Sequence, residues 1–130
     1  MNKIIFTLFI FVASVNTLFA DWFVKIQDQF VNSSPVIADV DGDGYAEIVV
    51  AGSQRVYVFD KNGKPKPGWP VETYKYDSNV NSGSVAVSDI DADGFMEIIA
   101  ATPKIYVWDY KGNIKPGWPQ DITGIVNGGT

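Results

Sequence analysis

The stretch "DVDGDGYAE" (residues 39–47) returns fifty residues later as "DIDADGFME" (residues 89–97). Each crowds four carboxylates into nine residues and then runs straight into apolar sequence, "IVVA" at 48–51 and "IIAA" at 98–101. So much like charge in one short loop is self-repelling unless a cation neutralises it. The chain holds no histidine and no cysteine, so a bound ion would meet oxygen ligands.

Outward from these loops the repetition continues. "AEIVVAGSQRVYVFDKNGKPKPGWPVET" (46–73) matches "MEIIAATPKIYVWDYKGNIKPGWPQDIT" (96–123), with one residue lost between the two apolar runs. A fixed period of this kind marks a repeat architecture, and it outranks local propensity as a guide to the fold. Each copy reads as strands. Residues 36–38 form a short strand into the acidic loop, and 48–51 leave it as a continuous apolar run suited to a strand covered on both faces. Residues 55–60 are aromatic and β-branched and alternate better. Asn62-Gly63, or Lys111-Gly112 in the second copy, supplies a tight turn. The prolines of "KPGWPV" fit an edge strand or its lead-in. The mature chain shows no amphipathic helical pattern. Four short strands per repeat describe a β-propeller blade, so the expected fold is all-β, with blades of four antiparallel strands.

The repeats are placed at 33–81 and 82–130. "DWFVKIQ" at 21–27 puts Trp22 ahead of Asp39 much as Trp69 precedes Asp89, so residues 21–32 are expected to be an orphan outer strand and linker. "IVNGGT" at 125–130 resembles "NVNSGS" at 79–84, which suggests a further repeat and a longer ring closed by the orphan strand. A short protein of two repeats is the alternative.

The leader "MNKIIFTLFIFVASVNTLFA" has one positive charge at Lys3, an apolar run, and a more polar end at Ala20. That is the layout of a secretory signal peptide cut after Ala20. A membrane anchor is the competing reading, but the apolar run is short for a span and is broken by Ser14, Asn16 and Thr17. Without cysteine an exported chain has no disulfide framework. Removing Lys3 with the leader leaves 9 basic against 15 acidic residues, a net charge of −6. This argues against nucleic acid and against anionic membrane surfaces as partners.

The carboxylate spacing is that of a calcium loop. Asp39, Asp41 and Asp43 stand at alternate positions, Gly44 permits a sharp turn, the Tyr45 carbonyl can contribute, and Glu47 closes the site. The second loop offers Asp89, Asp91, Asp93, the Phe95 carbonyl and Glu97. All-oxygen donors favour a hard cation, calcium before magnesium. An EF-hand would need a glutamate at position 12 and flanking helices, whereas Val50 and Ala100 stand there within strands. The competing reading is an Asx-rich turn without an ion.

"SPVIADVDGDGYAEIVVAG" and "GSVAVSDIDADGFMEIIAA" together resemble the FG-GAP repeat of integrin-alpha-type β-propellers, called FG-GAP-like or VCBS repeats in bacterial proteins. The likeness covers residues 33–130. It implies one calcium per loop, two in all, held by the residues just named, in a propeller of seven-bladed type that serves adhesion or ligand recognition. The Phe-Gly and Gly-Ala-Pro signatures of the integrin members are not intact here.

Catalysis has little support, because there is no histidine base and no thiol, and every loop acid is in ligand register. Trp69 and Trp118 occupy equivalent places and are expected to wedge between blades, with stacking on sugars as the alternative. Tyr57 and Tyr106 read as packing residues. The expected role is a secreted or cell-surface module that binds an extracellular protein or glycan. The second possibility is a scaffold within a secreted polysaccharide lyase or hydrolase whose catalytic residues lie elsewhere, and a structural spacer is the third.

Overall fold

A computed structural model describes residues 24–28, 33–73, 84–102 and 104–122. They form two four-stranded antiparallel sheets with strand orders β1-β2-β3-β4 and β5-β6-β7-β8. The first sheet contains β1 (Val36–Ala38), β2 (Glu47–Ala51), β3 (Arg55–Phe59) and β4 (Val71–Glu72). The second contains β5 (Ser84–Ser88), β6 (Glu97–Ala101), β7 (Lys104–Trp108) and β8 (Gln120–Asp121). The all-β, four-strand reading of each repeat is therefore correct. Among the described residues no helix is long and apolar enough to cross a membrane. The leader at 1–20 lies outside them.

The registers explain why the acidic loops sit where they do. Ala38 pairs with Glu47, and Ser88 pairs with Glu97, so each loop closes a β-hairpin whose last ligand candidate is the first residue of the returning strand. β2 and β3 are the most buried strands of the first sheet, in line with their apolar runs. One core joins the two sheets: Val49, Val56, Val58 and Trp69 cluster with Ile98, Ala100 and Trp108. Burial of such side chains contributes roughly 1.5–3 kcal/mol each.

One local expectation is refined. The β3–β4 turn is not a two-residue turn centred on Asn62-Gly63. Gly63 donates its N–H to the Asp60 carbonyl at 2.9 Å and Asp60 donates to Lys64 at 2.8 Å, so Lys61 and Asn62 are central. Gly63 follows them at φ 75°. This is the longer hairpin in which glycine takes the left-handed bulge position. The Asp60 carboxylate accepts from the N–H groups of Lys64 and Asn62, which holds its pKa below the ordinary 3.8. Asp109 accepts the N–H groups of Lys111 and Asn113 in the same way.

Of the residues 21–32 expected as an orphan strand and linker, 24–28 are described, and Trp22 lies outside the described set. Residues 24–28 are pinned through one side chain. Asp28, whose carboxylate is 1% exposed, accepts hydrogen bonds from Ser53 Oγ, the Gln54 N–H and the Tyr57 hydroxyl at 3.0, 2.9 and 2.7 Å. Gly52 leaves room for it, since a Cβ there would come within 2.4 Å of Asp28 Oδ2. Tyr57 thus packs as expected, stacked on Phe59 with ring centroids 5.8 Å apart, and also caps the Asp28 anchor.

Burial and the hydrogen bond to Asp28 raise the Tyr57 pKa above its ordinary 10.0. Above pH 10 the unfolded chain therefore releases this proton while the folded chain keeps it. The folded state then binds more protons, and stability falls as pH rises until the folded pKa is passed. Denaturant titrations at pH 9 and pH 11 should show a smaller loss for Tyr57→Phe than for the parent chain. Equal losses would exclude Tyr57 as the source.

The sheets meet through matched parts of the repeat. The Trp69 indole N–H donates to the Tyr110 carbonyl at 3.0 Å, and its ring meets Trp108 edge-on at 6.1 Å. The Met96 N–H donates to the Val40 carbonyl at 3.2 Å, joining one acidic loop to the next. The expectation that Trp69 wedges between blades holds. Its counterpart Trp118 is only half-buried, and Ile90 is 52% exposed where its counterpart Val40 is fully buried.

Candidate metal centre

Local geometry makes each acidic loop a tight, carboxylate-lined turn. In the first, Asp39 accepts the N–H groups of Gly42 (2.8 Å), Asp43 (3.1 Å) and Gly44 (2.9 Å), so the backbone folds around one side chain. Asp43 accepts the Tyr45 N–H at 2.8 Å. The second loop repeats this, with Asp89 accepting from Asp93 and Gly94 and Asp93 accepting from Phe95. Gly44 and Gly94 are left-handed, at φ 87° and 91°, which fits their place at the sharp turn. Position 4 is left-handed as well, at Gly42 (φ 73°) and at Ala92 (φ 60°). The second loop therefore carries a strain of roughly 1–2 kcal/mol that the first avoids.

The structure gathers the expected donors closely. One carboxylate oxygen each from Asp39, Asp41 and Asp43 lies within 4.8 Å of the others, and the same holds for Asp89, Asp91 and Glu97. Glu47 and Glu97 are each only 1% exposed. Each accepts a backbone N–H at the loop entry, from Val40 at 3.0 Å and from Ile90 at 2.9 Å. Glu47 stands outside the first trio, and Asp93 stands outside the second and serves the Phe95 N–H. The side chains of Tyr45 and Phe95 are exposed, and the backbone N–H groups of both point into the loop.

Two residues at the site were not anticipated. Lys66 Nζ lies 2.7 Å from Asp41 Oδ2, 3.3 Å from Glu47 Oε1 and 3.9 Å from Asp43 Oδ2. Lys115 Nζ meets Asp91 at 2.5 Å and Glu97 at 3.2 Å. Donation to Asp41, and then to Glu47, raises the Lys66 pKa above 10.5, and Lys115 is raised by Asp91 and Glu97 in the same way. The Lys115 hydrogen bond in turn holds Asp91 below 3.8. A signal existed in the sequence: both lysines open the repeated "KPGWP".

Beside the first loop lies a cleft of about 380 Å³ lined by Asp43, Tyr45, Glu47, Lys61, Lys64 and Lys66, among others. Lys61 Nζ sits 3.6 Å over the Tyr45 ring. At the matching place in the second repeat, Phe95 stacks on Tyr110 with centroids 4.7 Å apart. Loop and hairpin turn are thus bridged in both blades, by a cation–π contact in one and by ring stacking in the other.

Residues 39–100 match the family model described as the FG-GAP-like repeat. No curated protein and no solved structure gives a significant match. The matched segment runs from the first carboxylate of one acidic loop through the whole of the next, and over that stretch the chain is similar to the FG-GAP-like repeat.

Proposed function

We propose that the chain is a secreted, calcium-binding β-propeller module that recognises an extracellular protein or glycan. The observation that carries the calcium reading is a carboxylate trio in each loop, Asp39, Asp41 and Asp43 in the first and Asp89, Asp91 and Glu97 in the second, with ligand atoms within 4.8 Å of one another at the ends of two equivalent hairpins. The donor set fits a hard cation: it is all oxygen and strongly anionic, and in each loop it includes a glutamate removed from water. Asp39, Asp41, Asp43, Glu47 and the Tyr45 carbonyl would hold one ion. Asp89, Asp91, Asp93, Glu97 and the Phe95 carbonyl would hold the other. Calcium supplies charge neutralisation and a crosslink between two strands in a chain without cysteine.

Export is supported by the layout of residues 1–20, and a multi-blade assembly by the asymmetry of the two repeats. Val40 and Trp69 are covered by the neighbouring sheet, while their counterparts Ile90 and Trp118 are partly open, as a further blade would require. A binding role is favoured over catalysis because the loop acids are engaged in holding the loop backbone and the lysines. The absence of a histidine or a thiol points the same way.

Calorimetric titration of the full chain should show two calcium sites, with magnesium weaker. Asp41→Ala should remove one site and spare the other. At a calcium concentration about a hundredfold above Kd, each site should add about 2.7 kcal/mol to folding stability. A folded sample that takes up no calcium at millimolar concentration would refute the metal reading.

A further inference from the structure

We propose that Lys66 and Lys115 are built-in counter-ions that stand in for the metal and must release their carboxylates before calcium can bind. This rests on the calcium reading above. The observation is the same in both repeats. A lysine from outside the acidic loop, contributed by the turn that leads to the fourth strand, places its ammonium between the third-position aspartate and the buried glutamate. Those are two of the four carboxylates that a cation in the loop would use.

Charge decides why the lysine is there. Glu47 and Glu97 are nearly sealed from water, and a buried carboxylate without a positive partner is strongly unfavourable. Without metal, the lysine supplies that partner. A lysine ammonium and a divalent cation held on the same oxygens would repel strongly. The two states of the loop, lysine-closed and metal-closed, are therefore mutually exclusive.

The geometry lets the exchange happen without disturbing the blade. The Lys66 backbone is fixed on both sides, its N–H donating to the Val58 carbonyl at 2.8 Å and its carbonyl accepting the Trp69 N–H at 3.1 Å. Only the flexible side chain has to swing. Lys66 lines the 380 Å³ cleft, and the exposed Asp43 carboxylate, 3.9 Å from Nζ, borders the same cleft. A side chain leaving Glu47 has that cleft to move into. The lysine thereby sets the calcium threshold of each loop, and the metal-free blade stays folded.

The test compares the full chain with Lys66→Met, using Lys25→Met, an exposed lysine elsewhere on the chain, as a control for general charge effects. Calcium affinity by calorimetry is read together with thermal midpoints in EDTA. Lys66→Met should bind calcium at the first site roughly tenfold or more tightly. Its midpoint in EDTA should fall by more than about 5 °C and recover in calcium. Lys25→Met should change neither. Unchanged or weaker binding by Lys66→Met, with two sites in the parent chain, overturns the proposal and leaves the calcium reading intact. No calcium binding by either folded chain overturns both, and a lowered EDTA midpoint then marks Lys66 as a permanent ion-pair partner of Glu47. Lys115→Met repeats the measurement at the second loop if Lys66→Met fails to fold in EDTA.

Discussion

Gly68→Ala should destabilise the fold by about 3–5 kcal/mol, whereas Gly117→Ala, the same substitution one repeat later, should cost only about 1–2 kcal/mol. Both glycines are left-handed, at φ 89° and 87°, so both alanines incur the backbone penalty. The difference lies in what surrounds them. A Cβ on Gly68 would meet the Lys111 carbonyl oxygen at 1.9 Å, and one on Gly112 would meet the Gly68 carbonyl oxygen at 2.6 Å. Among the described residues, nothing lies within 4 Å of the position a Cβ would take on Gly117. Since the obstacle at Gly68 is main chain, no rotamer change relieves it, and the two sheets must separate. That separation also costs Trp69 its hydrogen bond to Tyr110. Chemical denaturation of the two variants side by side reads the contrast. Equal losses at the two positions would mean that the sheets do not approach through this turn.

Glu47→Ala should cost about 3–5 kcal/mol in metal-free protein, from three sources acting together. The Val40 N–H, on a fully buried residue, loses its acceptor. Lys66 loses the partner that draws it into the loop. A hole is left at the first residue of β2. Glu72→Ala is the matched control. Glu72 also pairs with a cation, Arg55 at 3.1 Å, but its side chain is 63% exposed, so its loss should cost less than about 1 kcal/mol. Urea unfolding in EDTA separates the two. A Glu47→Ala chain within about 1 kcal/mol of the parent would show that the buried glutamate is not a keystone of the hairpin.

The repeat, the strands and the acidic loops were legible because each leaves a local pattern. Carboxylates at alternate positions, an apolar run and a glycine at a sharp turn all act within ten residues. What escaped depends on contacts distant in sequence. Lys66 reaches Asp41 and Glu47 only because β3 lies beside β2, which no local pattern states. The Asp28 anchor is likewise a long-range contact, made possible by Gly52, a residue with no signal of its own. The β3–β4 turn was misjudged for the opposite reason. Asn-Gly is a strong two-residue turn signal, and it was outweighed by Asp60, whose carboxylate captures two backbone N–H groups and lengthens the loop.

The contact of Gly68 with Lys111 and Gly112 is main chain against main chain. Side chains can be retuned one at a time, and backbone cannot. With the backbone hydrogen bond from Met96 to Val40, this contact constrains how the two sheets meet. Any further repeat joined through the same turn would be added at the same tilt. The curvature of such an array would then be set largely by backbone contacts at each junction.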